Sequence, residues 1–496
     1  MNKFYKTILL FPFLFLPFSC QEFLEEEAFD FIAADDFFQS EEDAVSAVNG
    51  VYDAMQDIDF YNRHFQMICD LPGISSTNNR SGGWRGQIDK YTWDASNEGL
   101  ALSWQAIYNG VARANTVINR VGKMPAGSID AEVQRRVVNE AKFLRGFYYF
   151  TLVRLWGNVP LVDEEITSIE NNLRPANVGT ANAVWELIIS DLKAAEDLPL
   201  EYGGNDIGRA TGGAASAMLG TVYLQRSGLG IANEWGLAKA QFEKVIESKK
   251  YSLMESYADL FLPENDNGKE SIFNMQAAQG FGDEGQIHGA MTGVRGAELV
   301  PAGGWSSWTS EPEFFEMFAE DDKRKEAIFL LAFEKDGKIE TYPGSSYMAN
   351  PHFTKYWDQG ATANQDYAND MYILRFADVL LMHSETLNEI DSSDPKRLEG
   401  INNVRARAGL SALTNSYTQD EFRKILLLER EKELCMEQKT VFDYRRFGLE
   451  KMQWIVGLSS QGYELGEKHL LYPIPQREID LYGGEKEGVF EQNKGY

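Results

Sequence analysis

The sequence predicts an all-α-dominated fold: a tetratricopeptide-like scaffold of helical hairpins carrying large irregular loop insertions and minor β structure. Three observations carry this. Apolar residues recur at helical spacing through most of the chain, and the helical segments pair across short connections. One pair, Leu219-Gly220-x-x-Tyr223 followed by Ala238-x-x-x-Phe242, matches the tetratricopeptide pattern. Small residues at Gly220 and Ala238 let two helices approach, while Tyr223 and Phe242 fill the groove between them. Ser216 stands where the pattern expects Trp, so the repeat is degenerate, and any αα-hairpin with the same packing reads alike.

The elements follow in order. Ser40-Glu41-Glu42-Asp43 is a capping box that opens a helix through Ala44, Val48, Val51 and Met55. Periodicity predicts further helices over 100–121 and over 130–156, the latter closed by Gly157 and Pro160. Others are expected at 182–198, 213–226, 234–248, 372–389 and 395–408, and Thr418-x-x-Glu421 caps a last long one reaching about 437. Two stretches lack helical texture, 58–97 and 251–371. Long irregular segments in a folded protein tend to be functional loops. The chain therefore divides into a leader (1–19), an acidic tether (20–39), an N-terminal helical region (40–250), a loop-rich ligand-side region (251–371) and a C-terminal helical region (372–496).

The leader is an export signal. Lys3 and Lys6 give a positive start, residues 8–18 are unbroken apolar, and Ser19-Cys20 supplies a small residue before a thiol. The run is shorter than the ~20 residues of a bilayer helix and is interrupted by Pro12 and Pro17. Cys20 is thus the expected lipidation site, although Pro17-Phe18-Ser19 departs from a leucine-led lipobox. The full chain carries a net charge of −28, and loss of the two signal lysines makes the mature protein two units more negative. Such a body repels nucleic acid phosphates and anionic lipid heads. Membrane contact must come from the anchor. Only Cys69 and Cys435 remain, too few for a disulfide-stapled fold, and they allow one bridge at most. Cys435 falls in an expected helical run (432–438), where a small buried thiol is the simplest reading.

Motifs that resemble catalytic chemistry fail on context. Gly280-Phe281-Gly282-Asp283-Glu284-Gly285 fits G-x-G-x-x-G, yet two acids lie inside it and no helix is expected to start there. Asn265-Asp266-Asn267-Gly268 lacks the alternating oxygens and terminal Glu of a calcium loop and reads as a turn. The five histidines show no metal spacing. Glu429-Arg430-Glu431-Lys432-Glu433 reads as ion pairing on a helix surface. No cofactor is implied.

Aromatic residues in the loops are the stronger lead. The first irregular stretch carries Tyr61, Trp84, Tyr91 and Trp93 among Asn78, Asn79, Arg80 and Arg85. The second carries Gly303-Gly304-Trp305-Ser306-Ser307-Trp308, then Tyr342, Tyr347, Tyr356 and Trp357. An aromatic face stacks on the apolar C–H face of a sugar ring while Asn and Arg bond its hydroxyls; each Trp can equally pin its loop to the scaffold. The ligand candidates are Trp84, Trp305, Trp308, Arg80, Arg85, Asn78, Asn79 and Tyr61.

Several stretches carry a resemblance to a known family. They include Trp104-x-x-x-Tyr108-x-x-x-Ala112-x-x-Asn115, Ala141-Lys142-Phe143-Leu144-Arg145-Gly146-Phe147 and Trp156-Gly157-Asn158-Val159-Pro160. Further on come Tyr372-Ile373-Leu374-Arg375-Phe376-Ala377-Asp378, Asn402-Asn403-Val404-Arg405-Ala406-Arg407-Ala408-Gly409, Glu429 to Leu434, Asp443-Tyr444-x-Arg446-Phe447-Gly448 and Tyr472-Pro473-Ile474-Pro475. In combination the chain resembles the SusD/RagB family of outer-membrane nutrient-binding lipoproteins. The resemblance implies a surface-exposed, lipid-anchored helical body that captures an oligosaccharide, in some members a peptide, and passes it to a SusC-like TonB-dependent transporter. It also ranks Trp84 above Trp305, because a Gly-Trp ahead of Pro312 belongs to the family's scaffold pattern. Two other readings compete: a surface glycoside hydrolase and a peptide- or protein-binding repeat scaffold. Mass spectrometry of the mature N-terminus is expected to find a diacylated or triacylated Cys20, and an unmodified thiol there would remove the anchor from the scheme.

Overall fold

The computed structural model describes residues 37–79, 82–167, 175–280, 284–301, 303–414 and 416–496; the leader, Cys20 and Arg80 lie outside them. Helices dominate. The N-terminal half holds α1 (Glu41–Asp53), α2 (His64–Asp70), α3 (Gly83–Asp89), α4 (Glu98–Gly122), α5 (Ala131–Trp156), α6 (Ala181–Ala195), α7 (Gly212–Gly228) and α8 (Trp235–Glu247). The loop-rich region holds β1 (Ser271–Met275), α9 (His288–Thr292), α10 (Pro312–Glu316), α11 (Arg324–Ile328), β2 (Ala332–Lys335), β3 (Lys338–Thr341) and β4 (Met371–Arg375). The C-terminal part holds α12 (Phe376–Ile390), α13 (Arg397–Arg407), α14 (Gln419–Leu434), α15 (Thr440–Phe447), α16 (Leu449–Val456) and α17 (Gln476–Leu481). No helix among the described residues is long and apolar enough to cross a membrane.

The local signals behave as expected at most helix ends. The Ser40 and Thr418 capping boxes both form, and Asp130 caps α5. Neighbouring helices pack in series, α4 on α5, α5 on α6, α6 on α7, α7 on α8, then α8 on α12 and α12 on α13 and α14. Glycine sets the closest approaches. A Cβ on Gly220 would lie 2.7 Å from the Phe242 ring, and one on Gly110 would lie 2.5 Å from the Tyr148 ring. The α7–α8 pair is thus the tetratricopeptide-like hairpin anticipated from its small residues.

Three expectations need correction. The segment 371–375 is a strand, β4, which pairs antiparallel with β1, and helix α12 starts only at Phe376. The apolar string offers no helical stop, so only pairing with a strand a hundred residues earlier reveals the break. Cys435 sits just past the end of α14, not within a helix, and Cys69 and Cys435 are both buried free thiols. Most consequential is the charged run in α14: Glu429, Arg430, Glu431 and Glu433 are all buried, and face inward rather than to solvent.

Glu429, Arg430 and Glu433 are paired across the fold, whereas Glu431 accepts from the Thr440 hydroxyl at 3.4 Å and burial pushes its carboxyl up to about 7. Arg375 reaches Glu270 at 2.8 Å, Glu433 at 2.6 Å and Glu437 at 2.7 Å. Arg324 reaches Glu429 at 2.7 Å and Glu433 at 3.1 Å, while Lys355 meets Glu437 at 2.6 Å. Arg407 also binds Glu433, and Arg405 binds Glu429 at 2.9 Å. A second cluster joins Arg430 to Asp378 and Asp443, and Arg446 to Glu385 and Asp443. In the N-terminal half Arg145 makes a bidentate pair with Asp191 at 2.7 and 2.9 Å and donates to Asn115. Burial opposes ionisation of Glu433, but Arg407, Arg375 and Arg324 hold its carboxyl down at about 2. Because the folded value lies below the unfolded one, this group stabilises the fold above the ordinary carboxylate range, and that contribution is lost as pH falls toward 2. Glu433→Gln should lower stability at pH 7 by about 3–5 kcal/mol, the range for breaking a buried pair. In thermal melts the deficit should shrink below pH 4.5, and a variant melting with the parent at pH 7 would contradict this.

Candidate functional site

The two irregular stretches meet through residues more than two hundred positions apart in sequence. Thr77 and Thr309 form an antiparallel bridge, each amide donating to the other's carbonyl at 2.8 and 3.0 Å. Next to it the Asn79 side-chain amide donates to the Ser306 carbonyl at 3.0 Å. The Asn79 amide oxygen accepts from Asn350 at 3.1 Å and from the Thr309 hydroxyl at 3.3 Å. Asn62 ties the same seam lower down, donating to the Gly285 carbonyl at 3.0 Å.

The segment 303–308 is folded tightly onto α9. The amides of Trp305, Ser306 and Ser307 donate to the carbonyls of Ala290, Gly293 and Met291 at 2.8, 2.9 and 2.9 Å. Gly304 lies so close to Gly293 that a Cβ there would sit 2.2 Å from the Gly293 carbonyl carbon. Ser306 has φ +46°, a left-handed conformation unfavourable for a residue with a side chain. Its hydroxyl accepts the Arg295 amide at 2.8 Å and meets His352 Nε2 at 2.9 Å. The other His352 nitrogen lies 3.0 Å from the Asn350 carbonyl. Burial drives the His352 pKa down to about 4, so the ring is neutral; Nδ1–H donates to Asn350 and Nε2 is left to accept from Ser306.

This seam sorts the sequence-derived residues. Trp305 is half-buried, packed against the main core and against the small cluster of Ala290, Val300, Ala361 and Tyr367, beside the half-buried Trp357. Asn79 is exposed on the same seam. Trp308, three residues along, is fully buried at 0% exposure and offers no ring face to a ligand. Tyr61 is likewise in the core, packed among Phe60, Phe65 and Phe147. Asn78 is buried, and its backbone amide supports the buried Asp89 carboxylate. Tyr91, Trp93 and Tyr356 are buried too. Trp84 is half-buried but engaged: it fills the space over Gly99, lies 4.8 Å from the His64 ring and carries the Arg85 guanidinium 5.3 Å from its centroid. Trp84 and Trp305 are thus both half-buried rings packed on the core, and Trp305 is the one carried by the seam. Asn350 and Arg295 escaped the sequence reading. Asn350 lies between Tyr347 and Phe353 with nothing local to mark it out, and Arg295 stands outside the aromatic strings, exposed with no side-chain partner among the described residues.

The discarded motifs stay discarded on geometry where they are described. Among the described residues after Gly280 the first α-helix begins at His288, and residues 281–283 lie outside them. Residues 265–268 form the turn leading into β1. Among the described residues no group of three or more His, Cys, Asp or Glu is placed to hold a metal ion. What the seam offers is a half-buried aromatic ring together with the exposed side chains of Asn79 and Arg295, residue types suited to reversible recognition of a polyhydroxylated surface.

Gly304→Ala should prevent segment 303–308 from seating on α9, because a methyl group cannot share space with the Gly293 backbone. A destabilisation of about 1–3 kcal/mol is expected in denaturant melts. Faster amide exchange confined to 289–310 would accompany it, and unchanged exchange there would refute the close approach.

Comparison with known proteins agrees with this architecture. The SusD family model matches residues 329–496, and a second model, described as starch-binding associating with outer membrane, matches 22–224. SusD-like protein P2 of Formosa agariphila is 28% identical over 487 residues, covering 92% of this chain and 94% of its own. The structure of a SusD homolog from Bacteroides thetaiotaomicron superposes with a TM-score of 0.82 at 24% identity, covering 93% of this chain and 98% of that one. A laminarin-binding SusD-like protein superposes with a TM-score of 0.74 at 26% identity, over 92% of this chain and all of the other. With its motif residues seated in the helical body and both halves matched, this chain belongs to the SusD family.

Proposed function

We propose that this protein is a non-catalytic, cell-surface glycan-binding lipoprotein that captures an oligosaccharide and delivers it to a SusC-like TonB-dependent transporter in the outer membrane. The observation that carries the reading is the similarity, at 26% identity over 92% of this chain, to a SusD-like protein that binds laminarin. The family description that places such proteins at the outer membrane supports the location, and the Ser19-Cys20 junction supports a lipid anchor. A single acyl chain binds a membrane only marginally, so stable attachment needs two or more.

In this reading the ligand-side region 251–371 supplies the platform and the first irregular stretch supplies Asn79. The Trp305 ring stacks on a sugar face, while Asn79, Asn350 and Arg295 exchange hydrogen bonds with its hydroxyls. Binding of this kind releases the ligand readily, as delivery to a transporter requires. The full chain's charge of −28, more negative still once the leader lysines are lost, favours neutral over polyanionic glycans.

Affinity electrophoresis against laminarin and a panel of neutral β-glucans and xyloglucan is expected to retard the parent. Trp305→Ala should reduce retardation at least tenfold, with Trp84→Ala having a smaller effect. Equal retention by parent and Trp305→Ala would remove Trp305 from the site. Shortened glycans in the incubation would replace the binding role with hydrolysis.

A further inference from the structure

Ser306 stands out among the residues of the seam because it is strained and yet bonded on every side. Its φ of +46° places a side-chain-bearing residue where glycine is favoured, and such strain persists only where the surroundings over-determine it. Four contacts do so. Its amide donates to the Gly293 carbonyl at 2.9 Å, and its carbonyl accepts from Asn79 at 3.0 Å. Its hydroxyl accepts the Arg295 amide at 2.8 Å and faces His352 Nε2 at 2.9 Å. Two glycines already lie in the segment, at 303 and 304, so a third would have relieved the strain had the hydroxyl been dispensable.

The position of that hydroxyl gives it a consequence. Ser306 follows Trp305 directly in the chain, and through its hydroxyl it grips the backbone of Arg295. The half-buried indole and the exposed guanidinium come from segments ten residues apart, and among the described residues Ser306 is joined to Trp305 and hydrogen-bonded to the Arg295 backbone amide. His352, neutral and fixed by Asn350, orients the hydroxyl proton, leaving its lone pair for the Arg295 amide. Asn79 holds the Ser306 carbonyl from the other loop region, so the arrangement spans both halves of the seam.

We infer that Ser306 is a positioning residue that sets the mutual placement of the Trp305 ring and the Arg295 side chain for glycan recognition. The inference rests on the reading of Trp305 as the stacking platform. Ser306 itself touches the ligand-facing groups and not the ligand.

The test uses the mature chain labelled with 5-fluorotryptophan. The Trp305 fluorine resonance is assigned by its loss in Trp305→Phe. Ser306→Ala keeps the backbone strain and removes the hydroxyl; Ser306→Gly removes both. In the absence of glycan, Ser306→Ala should shift or broaden the Trp305 resonance while resonances from Trp104 and Trp156 stay in place. Laminarin affinity should fall about tenfold, the scale of one lost hydrogen bond. Ser306→Gly should broaden the resonance further, since the segment gains backbone freedom. A Trp305 resonance unmoved in both variants would overturn the inference, whether or not affinity falls. Because that readout needs no ligand, it stands apart from the platform reading, which fails separately if Trp305→Ala leaves laminarin retention unchanged.

Discussion

A guanidinium taken out of water must find its partners inside the protein, and Arg375 finds three: Glu270 ahead of β1, and Glu433 and Glu437 at the end of α14. Glu433 in turn holds Arg324 of α11 and Arg407 of α13, and Glu437 holds Lys355 from the loop-rich region. One buried lattice of charge thus ties β4, the approach to β1, α11, α13 and α14. The desolvation of so many ions is offset only if every member is present and correctly placed. This makes the lattice a strong arbiter of register. A slip of β4 by one residue would send Arg375 to the opposite face and take from Glu270, Glu433 and Glu437 a shared buried cation, leaving Arg407, Arg324 and Lys355 to neutralise three carboxylates. The loop-rich region enters the body through two cations of this lattice, Arg324 and Lys355, so the platform that carries Trp305 is held to the scaffold by ionic contacts as well as apolar ones.

The same lattice accounts for the charged residues of the motif strings. Arg375 and Asp378, Arg405 and Arg407, Glu429, Arg430 and Glu433, and Asp443 and Arg446 come from four separate strings, and all of them are members of the buried clusters. Asn115 and Arg145, from two further strings, meet each other and Asp191 between α4, α5 and α6. The charged residues of these strings are scaffold because the scaffold's long-range geometry is written in charge.

Legibility in the sequence followed the range of the interactions. Helix periodicity, capping boxes and the Gly220/Phe242 hairpin act within a few dozen residues, and each was readable. The Glu429–Glu433 run was misread because opposite charges at helical spacing spell the same string on a wet surface or in a buried network. Only the partners, Arg324, Arg375 and Arg407, separate the two cases, and they lie 26 to 109 residues away in sequence. Helices α2 and α3 have seven residues each and no side-chain cap, so neither periodicity nor termini announced them. In the Gly303–Trp308 string the two indoles look equivalent. Their fates diverge because the segment's amides are claimed by residues 290–293, turning Trp308 into the core and leaving Trp305 at the surface. Asn79 and Asn350 are 271 residues apart, beyond any local pattern.

The seam has the physical character that weak, reversible recognition needs. A sugar offers few strong contacts, so each side chain ordered on binding consumes much of the available affinity. Here the ordering is done beforehand: Gly304 permits backbone contact too close for any other residue, Ser306 is locked by four bonds, and His352 is neutral because it is buried. Trp305 is left half-buried between two packed clusters, a ring with little freedom to lose. A loop lacking these constraints would have to be organised by the ligand itself. Strain at Ser306 is tolerated because the lattice around Arg375 holds the loop region in place, and the two features belong to one design in which long-range charge fixes the body and short-range hydrogen bonds fix the platform.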